Sequence, residues 1–480
     1  MFSRRTTLKM LLSSAAGLAV SNGNVTARAQ GNRAGDLLVL RPGQGSPVAI
    51  AEEFMGLGYE MSSVVPLGLL SGDNHTYVAL VRGLSERGVI RVGGIVADYT
   101  RFDPKGLAIA EPHNTVITGS ALEQFAGFMK RTGWRAIWSL NFAQGTVQDA
   151  VAEAQAVSAA LGAHLLAFEL GNEVENYGQG NRPFRTGSWD YAAYLKEFRE
   201  WSAAIRKAVP SAHFAAPDTA SSVEWAEQMS KDANGDVQLL TTHYYRAEQT
   251  HGSVELLATP DPRLQEVLTR MRAASTQSRI PWRLCETNSF SGGGRPGVSD
   301  AMIGALWTLD TMLLLASYGC SGINLETGVN QLGFLSSYSP IRNDKQGNAS
   351  PGIPYYGMLA FTEARRGCTH VLPAELDATG SHVTSYVLGE PGKARSLVVI
   401  NRDTSREAAV DTRALKAGEL HPLRLIAGKG EDAAPVTFGE YPVKDDGHWT
   451  PAWIDAIHDG VLRVPAMSAV VARTKESHRA

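Results

Sequence analysis

The sequence predicts a (β/α)8 barrel joined to a β-sandwich. From about residue 52 to 366, short apolar runs alternate with amphipathic stretches, as parallel strands joined by crossover helices do. Eight such runs can be counted, the number that closes a barrel. After about residue 366 the text becomes short β-like runs broken by Gly, Pro, Asp and Lys, the signature of an all-β unit. A further strand-like segment, "DLLVLRPGQGSPVAIA" from Asp36, precedes the first barrel run and is expected to complete the same sandwich.

The eight runs are "FMGLGYE" from Phe54, "VIRVGGI" from Val89, "AIWSLNF" from Ala136, "LLAFELGN" from Leu165, "HFAAPD" from His213, "VQLLTTHYY" from Val237, "WRLCET" from Trp282 and "SGINLET" from Ser321. Between them lie helical stretches such as "SALEQFAGFMKRTG", "VQDAVAEAQAVSAALG" and "DAMIGALWTLDTMLLLASYG", each with a polar start and most with a glycine just past the end. An open doubly wound sheet is the competing architecture, but no Gly-rich phosphate loop follows the first strand. In the C-terminal part, "HVTSYVL", "SLVVIN", "LRLIAG", "GVLRVP" and "SAVVAR" read as sandwich strands. The expected division is therefore a barrel over 52–366 and a sandwich from 30–51 plus 367–480.

Residues 1–29 stand apart. Arg4 and Arg5 precede a short apolar run, and a small-residue site follows at Ala27-Arg28-Ala29, the layout of a twin-arginine export signal. Export to the periplasm or outside the cell is expected. No later segment reaches the roughly 18 apolar residues of a membrane span. Removing Arg4, Arg5, Lys9 and Arg28 leaves 41 of the 45 basic side chains against 48 acidic ones, so a nucleic-acid-coating surface is excluded. Three widely spaced cysteines, Cys285, Cys320 and Cys368, cannot form a disulfide framework. The twelve histidines show no metal-binding spacing, and no cofactor is expected. A monomer is expected.

In a (β/α)8 barrel the reacting groups sit where strands finish. Glu173 follows the fourth strand in "FELGNEVENY" and Glu286 lies at the end of the seventh in "CETNSFSGGG". Two carboxyl groups on one rim are what glycoside hydrolysis requires, one to protonate the leaving oxygen and one to meet the positive charge at the anomeric carbon. Either alone could be a solvated rim residue. Cys285 adjoins Glu286, and strand alternation would turn it away, to pack between sheet and helices. Glu169 shares parity with Glu173 and is expected in a buried ion pair with Arg91. Tyr59 and Glu60, ending the first strand, either line the pocket or serve the core.

"RVGGIVAD", "FELGNE", "THYY" and "CETNSFSGGG", in this order and with a sandwich drawn from both chain ends, resemble glycoside hydrolase family 79, the heparanase and β-glucuronidase family. The resemblance covers nearly all of the chain after residue 29. It implies a retaining glycosidase with Glu173 as acid and base, its pKa raised, and Glu286 as nucleophile, the two about 5 to 5.5 Å apart. It further implies that Asn172 binds the sugar 2-hydroxyl, that Tyr244 donates to Glu286, and that Asp98 accepts from ring hydroxyls. Arg91 would pair with buried acid near the nucleophile. Gly292, Gly293 and Tyr338 would meet a uronate carboxylate. Where some relatives have a tyrosine before the glycines and a glycine two residues before the last tyrosine, this chain has Ser291 and Ser336. The expected activity is exo-cleavage of terminal β-linked glucuronic acid, since no Lys/Arg cluster marks a cleft for a long polyanion. The alternatives are a heparanase-like endo-β-glucuronidase and a catalytically inactive carbohydrate-binding barrel.

Overall fold

The computed structural model describes residues 37–475 apart from 181, 221, 234, 329–335, 345–347, 379 and 429–434. The export signal expected over 1–29 lies outside the described residues. Each of the eight apolar runs forms a strand: β1 Gly56–Glu60, β2 Val89–Gly93, β3 Arg135–Leu140, β4 Leu165–Leu170, β5 Ala215–Thr219, β6 Leu239–Glu248, β7 Trp282–Ser291 and β8 Ile323–Glu326. They pair in the order β5-β6-β7-β8-β1-β2-β3-β4, every neighbour parallel. Phe168 closes the ring through a parallel bridge to Phe214, its N–H donating to the His213 carbonyl at 2.9 Å. This is the predicted barrel.

Alternation explains why the runs look almost continuously apolar. One face of each strand carries Leu57, Ile90, Trp138, Phe168, Ala216, Leu240, Leu284 or Leu325 into the large core shared with the helices. The inner face starts apolar, with Val89, Ile137, Ala167, Ala215, Leu239 and Cys285 forming a separate small cluster. Two residues further along β2, β3 and β4 the same face carries Arg91, Ser139 and Glu169. The barrel is thus plugged with hydrocarbon at one end and ionic toward the strands' C-terminal ends. The helices begin as their sequences suggest: Thr118 caps Gly119–Thr132, and Thr146 with Asp149 forms a capping box on Val147–Leu161.

The sandwich has a seven-stranded and a four-stranded sheet. Leu37–Pro42 lies in the smaller one, parallel to Ala408–Asp411 and antiparallel to Ala374–Leu376. Leu38, Leu40, Val399, Val410 and Val470 fill the space between the sheets. The outer face of the larger sheet rests on the barrel helices Met302–Ser317 and Ile353–Arg365. There Asp310 accepts hydrogen bonds from Thr384 Oγ1 at 2.6 Å, Tyr386 OH at 2.9 Å and Arg402 NH1 at 2.6 Å. Glu363 and Arg473 make a second buried ion pair at 2.9 Å.

Removing one partner of a buried pair strands the other's charge. Asp310→Ala should therefore destabilise the protein by roughly 3 kcal/mol, read from chemical unfolding of variant and wild type. An unchanged midpoint would show that this clamp does not couple the two units.

Candidate active site

The site is organised by one guanidinium. Arg91, fully buried on β2, donates Nε to Glu169 Oε2 at 2.8 Å and NH1 to Glu286 Oε2 at 2.7 Å. Its NH2 donates to Asp218 Oδ2 at 2.6 Å and to Asn172 Oδ1 at 3.0 Å. Burial alone would lower its pKa, but the Asp218, Glu169 and Glu286 charges raise it well above its ordinary value. Arg91 is therefore a fixed cation, and its fork reaches four acceptors on or just past three strands, β4, β5 and β7.

Glu173 leaves β4 through a turn. Gly171 has φ +80° and Glu173 itself has φ +49°, a left-handed conformation that costs a residue with a Cβ about 1 kcal/mol. The Glu173 N–H donates to the Asp218 carbonyl at 2.8 Å and so holds this turn. The carboxylate meets Arg182 NH2 at 2.9 Å and His243 Nδ1 at 3.4 Å. A raised pKa was expected for Glu173; the structure gives the reverse. Burial pushes its carboxyl up, but the His243 imidazolium and Arg182 outweigh it and hold the group below the usual carboxylate range. Arg182, on the loop after β4, also donates NH1 to the Asn172 carbonyl at 3.1 Å.

Opposite, Glu286 receives Arg91 on Oε2 and the Tyr245 hydroxyl on Oε1 at 2.9 Å. One carboxylate oxygen of Glu173, one of Glu286 and one His243 nitrogen lie within 4.8 Å of one another. His243 faces Asp218 Oδ1 with Nε2 at 2.8 Å, and Glu173 with Nδ1. Burial would lower its pKa, yet the Asp218 and Glu286 charges raise it well above the usual value. Both ring nitrogens therefore face carboxylates, which favours the imidazolium form.

The other expected residues fall in two groups. Asn172 is buried, accepts from Arg91 and keeps its amide nitrogen for donation. Asp98 is fully buried at the turn after β2, where burial pushes its carboxyl up to about 8. The Tyr177 hydroxyl donates to its Oδ1, and its Oδ2 has no hydrogen-bond partner among the described residues. Gly292 and Gly293 turn at the end of β7 with φ of +75° and +95°, backbone that glycine alone adopts without strain. The Gly293 carbonyl accepts the Ser337 N–H at 2.7 Å, which brings the turn beside Tyr338, and the Tyr338 ring stacks on Tyr245 at 6.4 Å. These residues form one continuous wall leading to Glu286.

Two further expectations are corrected. Tyr244 does not donate to Glu286; it points outward and donates to Asp261 Oδ2 at 2.6 Å. On β6 the inward side chains are His243 and Tyr245, two residues apart, so Tyr245 occupies the expected role. Cys285 is not between sheet and helices but inside the barrel. The β6–β7 register steps from Thr242–Leu284 to His243–Glu286, a bulge at Cys285 that lets consecutive residues both face inward. Its thiol is fully buried and pushed up by that burial, so it is unreactive. Glu169 pairs with Arg91 as expected. Tyr59 bonds the Tyr77 hydroxyl in the outer core at 2.8 Å, whereas Glu60 faces inward and accepts the Val96 N–H at 2.9 Å. Sequence reasoning missed Asp218, His243, Tyr245 and Arg182. The first three stand at the ends of strands already marked, so position on the rim was the available signal; nothing in the sequence marked Arg182.

No protein-family model matches the chain. It is 27% identical to a β-glucuronidase of Aspergillus niger over 367 residues, 68% of this chain and 66% of that one. It is 26% identical to a β-glucuronidase of Neurospora crassa over 378 residues, 65% and 64% of the two chains. The matches thus span just under two thirds of these relatives. Among solved structures, a 4-O-α-L-rhamnosyl-β-D-glucuronidase from Fusarium oxysporum superposes with a TM-score of 0.74 at 17% identity, covering 91% of this chain and all (100%) of the other. A family 51 α-L-arabinofuranosidase from Bifidobacterium longum reaches 0.63 at 15% identity, covering 92% and 99%. The barrel-plus-sandwich fold is therefore that of known glycosidases, and the chain is β-glucuronidase-like in sequence.

If Arg182 is what holds Glu173 down, Arg182→Met should move the Glu173 titration to higher pH. Side-chain carboxyl NMR in both proteins, with Glu173→Gln to identify the signal, reads this directly. Superimposable curves would remove Arg182 from that role.

Proposed function

We propose that this chain is an exported retaining exo-β-glucuronidase, which releases terminal β-linked glucuronic acid by double displacement. The observation that carries the reading is the approach of the Glu173 and Glu286 carboxylate oxygens to within 4.8 Å, with a different set of partners on each. Retaining glycosidases hold their two carboxyl groups about 5 to 5.5 Å apart; inverting ones leave room for a water. The similarity to β-glucuronidases supports the sugar, and the arginine-led N-terminal segment supports export.

In the first step Glu286 attacks the anomeric carbon as Glu173 gives its proton to the glycosidic oxygen, and the aglycone leaves as an alcohol. Arg91 and Tyr245 hold Glu286 in the line of attack. Glu173 must carry a proton for this step, so the Arg182 contact has to loosen or be shared with the substrate. In the second step Glu173, now ionised, takes a proton from water, whose oxygen displaces Glu286 and restores the β configuration. Asn172 donates to the 2-hydroxyl, and Asp98 Oδ2 accepts from a ring hydroxyl. The amides of Gly292 and Gly293 and the Tyr338 hydroxyl receive the sugar carboxylate.

The wild-type protein should hydrolyse a chromogenic aryl β-D-glucuronide, with β-glucuronic acid the first anomer seen by NMR. Glu286→Gln should lower kcat by roughly 10³-fold or more. Glu173→Ala should recover turnover with azide, which needs no general base, giving the β-glycosyl azide. Normal activity in Glu286→Gln or a first-formed α-anomer would end the double-displacement reading, and shortening of heparan-type chains would replace exo with endo action.

A further inference from the structure

Glu326 ends β8 on the inner face, two residues after the inward Asn324, and is 1% exposed. Neither of its carboxyl oxygens has a hydrogen-bond partner among the described residues. The strand beside it is shaped to admit it: a Cβ on Gly58 of β1 would come within 2.6 Å of Glu326 Oε2. No described side chain donates to this carboxyl, and both of its oxygens are buried. A carboxylate in that position would carry the full cost of desolvation, so the packing accepts the neutral acid.

Several groups lie close enough to act on it by charge. Glu60 and Tyr59 stand on β1, Arg91 on β2, His243 and Tyr245 on β6, Glu286 on β7, and Tyr338 on the loop after β8. Burial first, then the Glu286 and Glu60 charges, push the Glu326 carboxyl well above the usual range. Arg91 and His243 are already committed to Asp218, Glu169, Glu173 and Glu286. An anionic sugar would enter a site where acids outnumber cations. A further negative charge at Glu326 would act on it across a dry wall, where screening by salt and water is weak.

We propose that Glu326 is a charge gate for the anionic sugar: the neutral acid lets a uronate rest beside Glu286 and Tyr338, and the carboxylate expels it. The inference rests on the uronate reading of the site and extends it to what sets the pH range over which that substrate binds. Glu326 acts through its field, without touching the sugar, and is a positioning residue.

The test uses the full-length wild type with Glu326→Gln and Glu326→Met. Both replacements are uncharged at every pH, and methionine also needs no hydrogen-bond partner and keeps the volume. KM and kcat for 4-nitrophenyl β-D-glucuronide are measured from about pH 4 to 9. In the wild type KM should climb about tenfold per pH unit once Glu326 ionises, because only the neutral fraction binds. In both variants that climb should vanish, while the shape of the kcat profile stays. If the glutamine variant fails to fold, the methionine variant decides. A climb that persists in the variants, or none in the wild type, overturns the gate, as does a uniform fall in kcat with the wild-type KM profile. Absence of wild-type turnover on any β-glucuronide overturns the substrate reading itself, and the gate with it.

Discussion

The site at the C-terminal face of the barrel depends on the burial of Arg91. A guanidinium at the centre of a barrel with no solvent contact is tenable only if carboxylates satisfy it from several directions, and Glu169, Asp218 and Glu286 do so. Each of those acids has further partners of its own. Ser139 donates to Glu169, His243 to Asp218, and Tyr245 to Glu286. The result is a connected network in which a change at one member alters the charge seen by the others. Such networks are poor sources of stability compared with hydrocarbon of the same volume. This one sits where hydrocarbon would do no chemistry, directly above the apolar plug that does serve stability.

The network also treats the two glutamates differently. Glu286 is held from below by Arg91 and from the side by Tyr245, both on strands, so its position is set by the barrel itself. Glu173 hangs from a left-handed turn and meets Arg182, which lies on a loop. In the proposed double displacement, Glu286 as nucleophile must point in one direction throughout, whereas Glu173 as acid and then base must change its proton twice. Rigid support for the first and a loop-borne partner for the second match those tasks.

Much of this was legible because the relevant signals are local. Apolar runs with strand period, capped helices and the shift to β-like text mark the elements, and Glu173 and Glu286 follow from their places at the ends of the apolar runs, although β7 itself continues to Ser291. What was not legible depends on inward or outward facing, which a single residue reverses. Tyr244 and Tyr245 are chemically identical, and only their parity relative to His243 separates them. Cys285 obeys alternation in the sequence and escapes it through a bulge formed against β6, a neighbour that no local pattern names. Arg182 lies in a stretch with no periodicity at all, and its contact with Glu173 exists only because the loop folds back over the strand end.

The sandwich then has a structural reason to be attached. The helix Met302–Ser317 connects β7, which carries Glu286 and the glycine turn, to β8, which carries Glu326 and leads to Tyr338. Its Asp310 is gripped by Thr384, Tyr386 and Arg402 of the larger sandwich sheet. A helix packed only on the barrel could shift along its axis by small repacking of its apolar side chains. An aspartate held by three donors from another sheet has far less freedom, because any slide breaks charge-assisted bonds in a dry interface. The β7–helix–β8 unit is thereby fixed from outside, and with it the wall formed by Tyr245, Tyr338, Glu326 and Glu286. The larger sandwich sheet thereby supports the site at a distance, through the one helix that joins the strand of Glu286 to the strand leading to Tyr338.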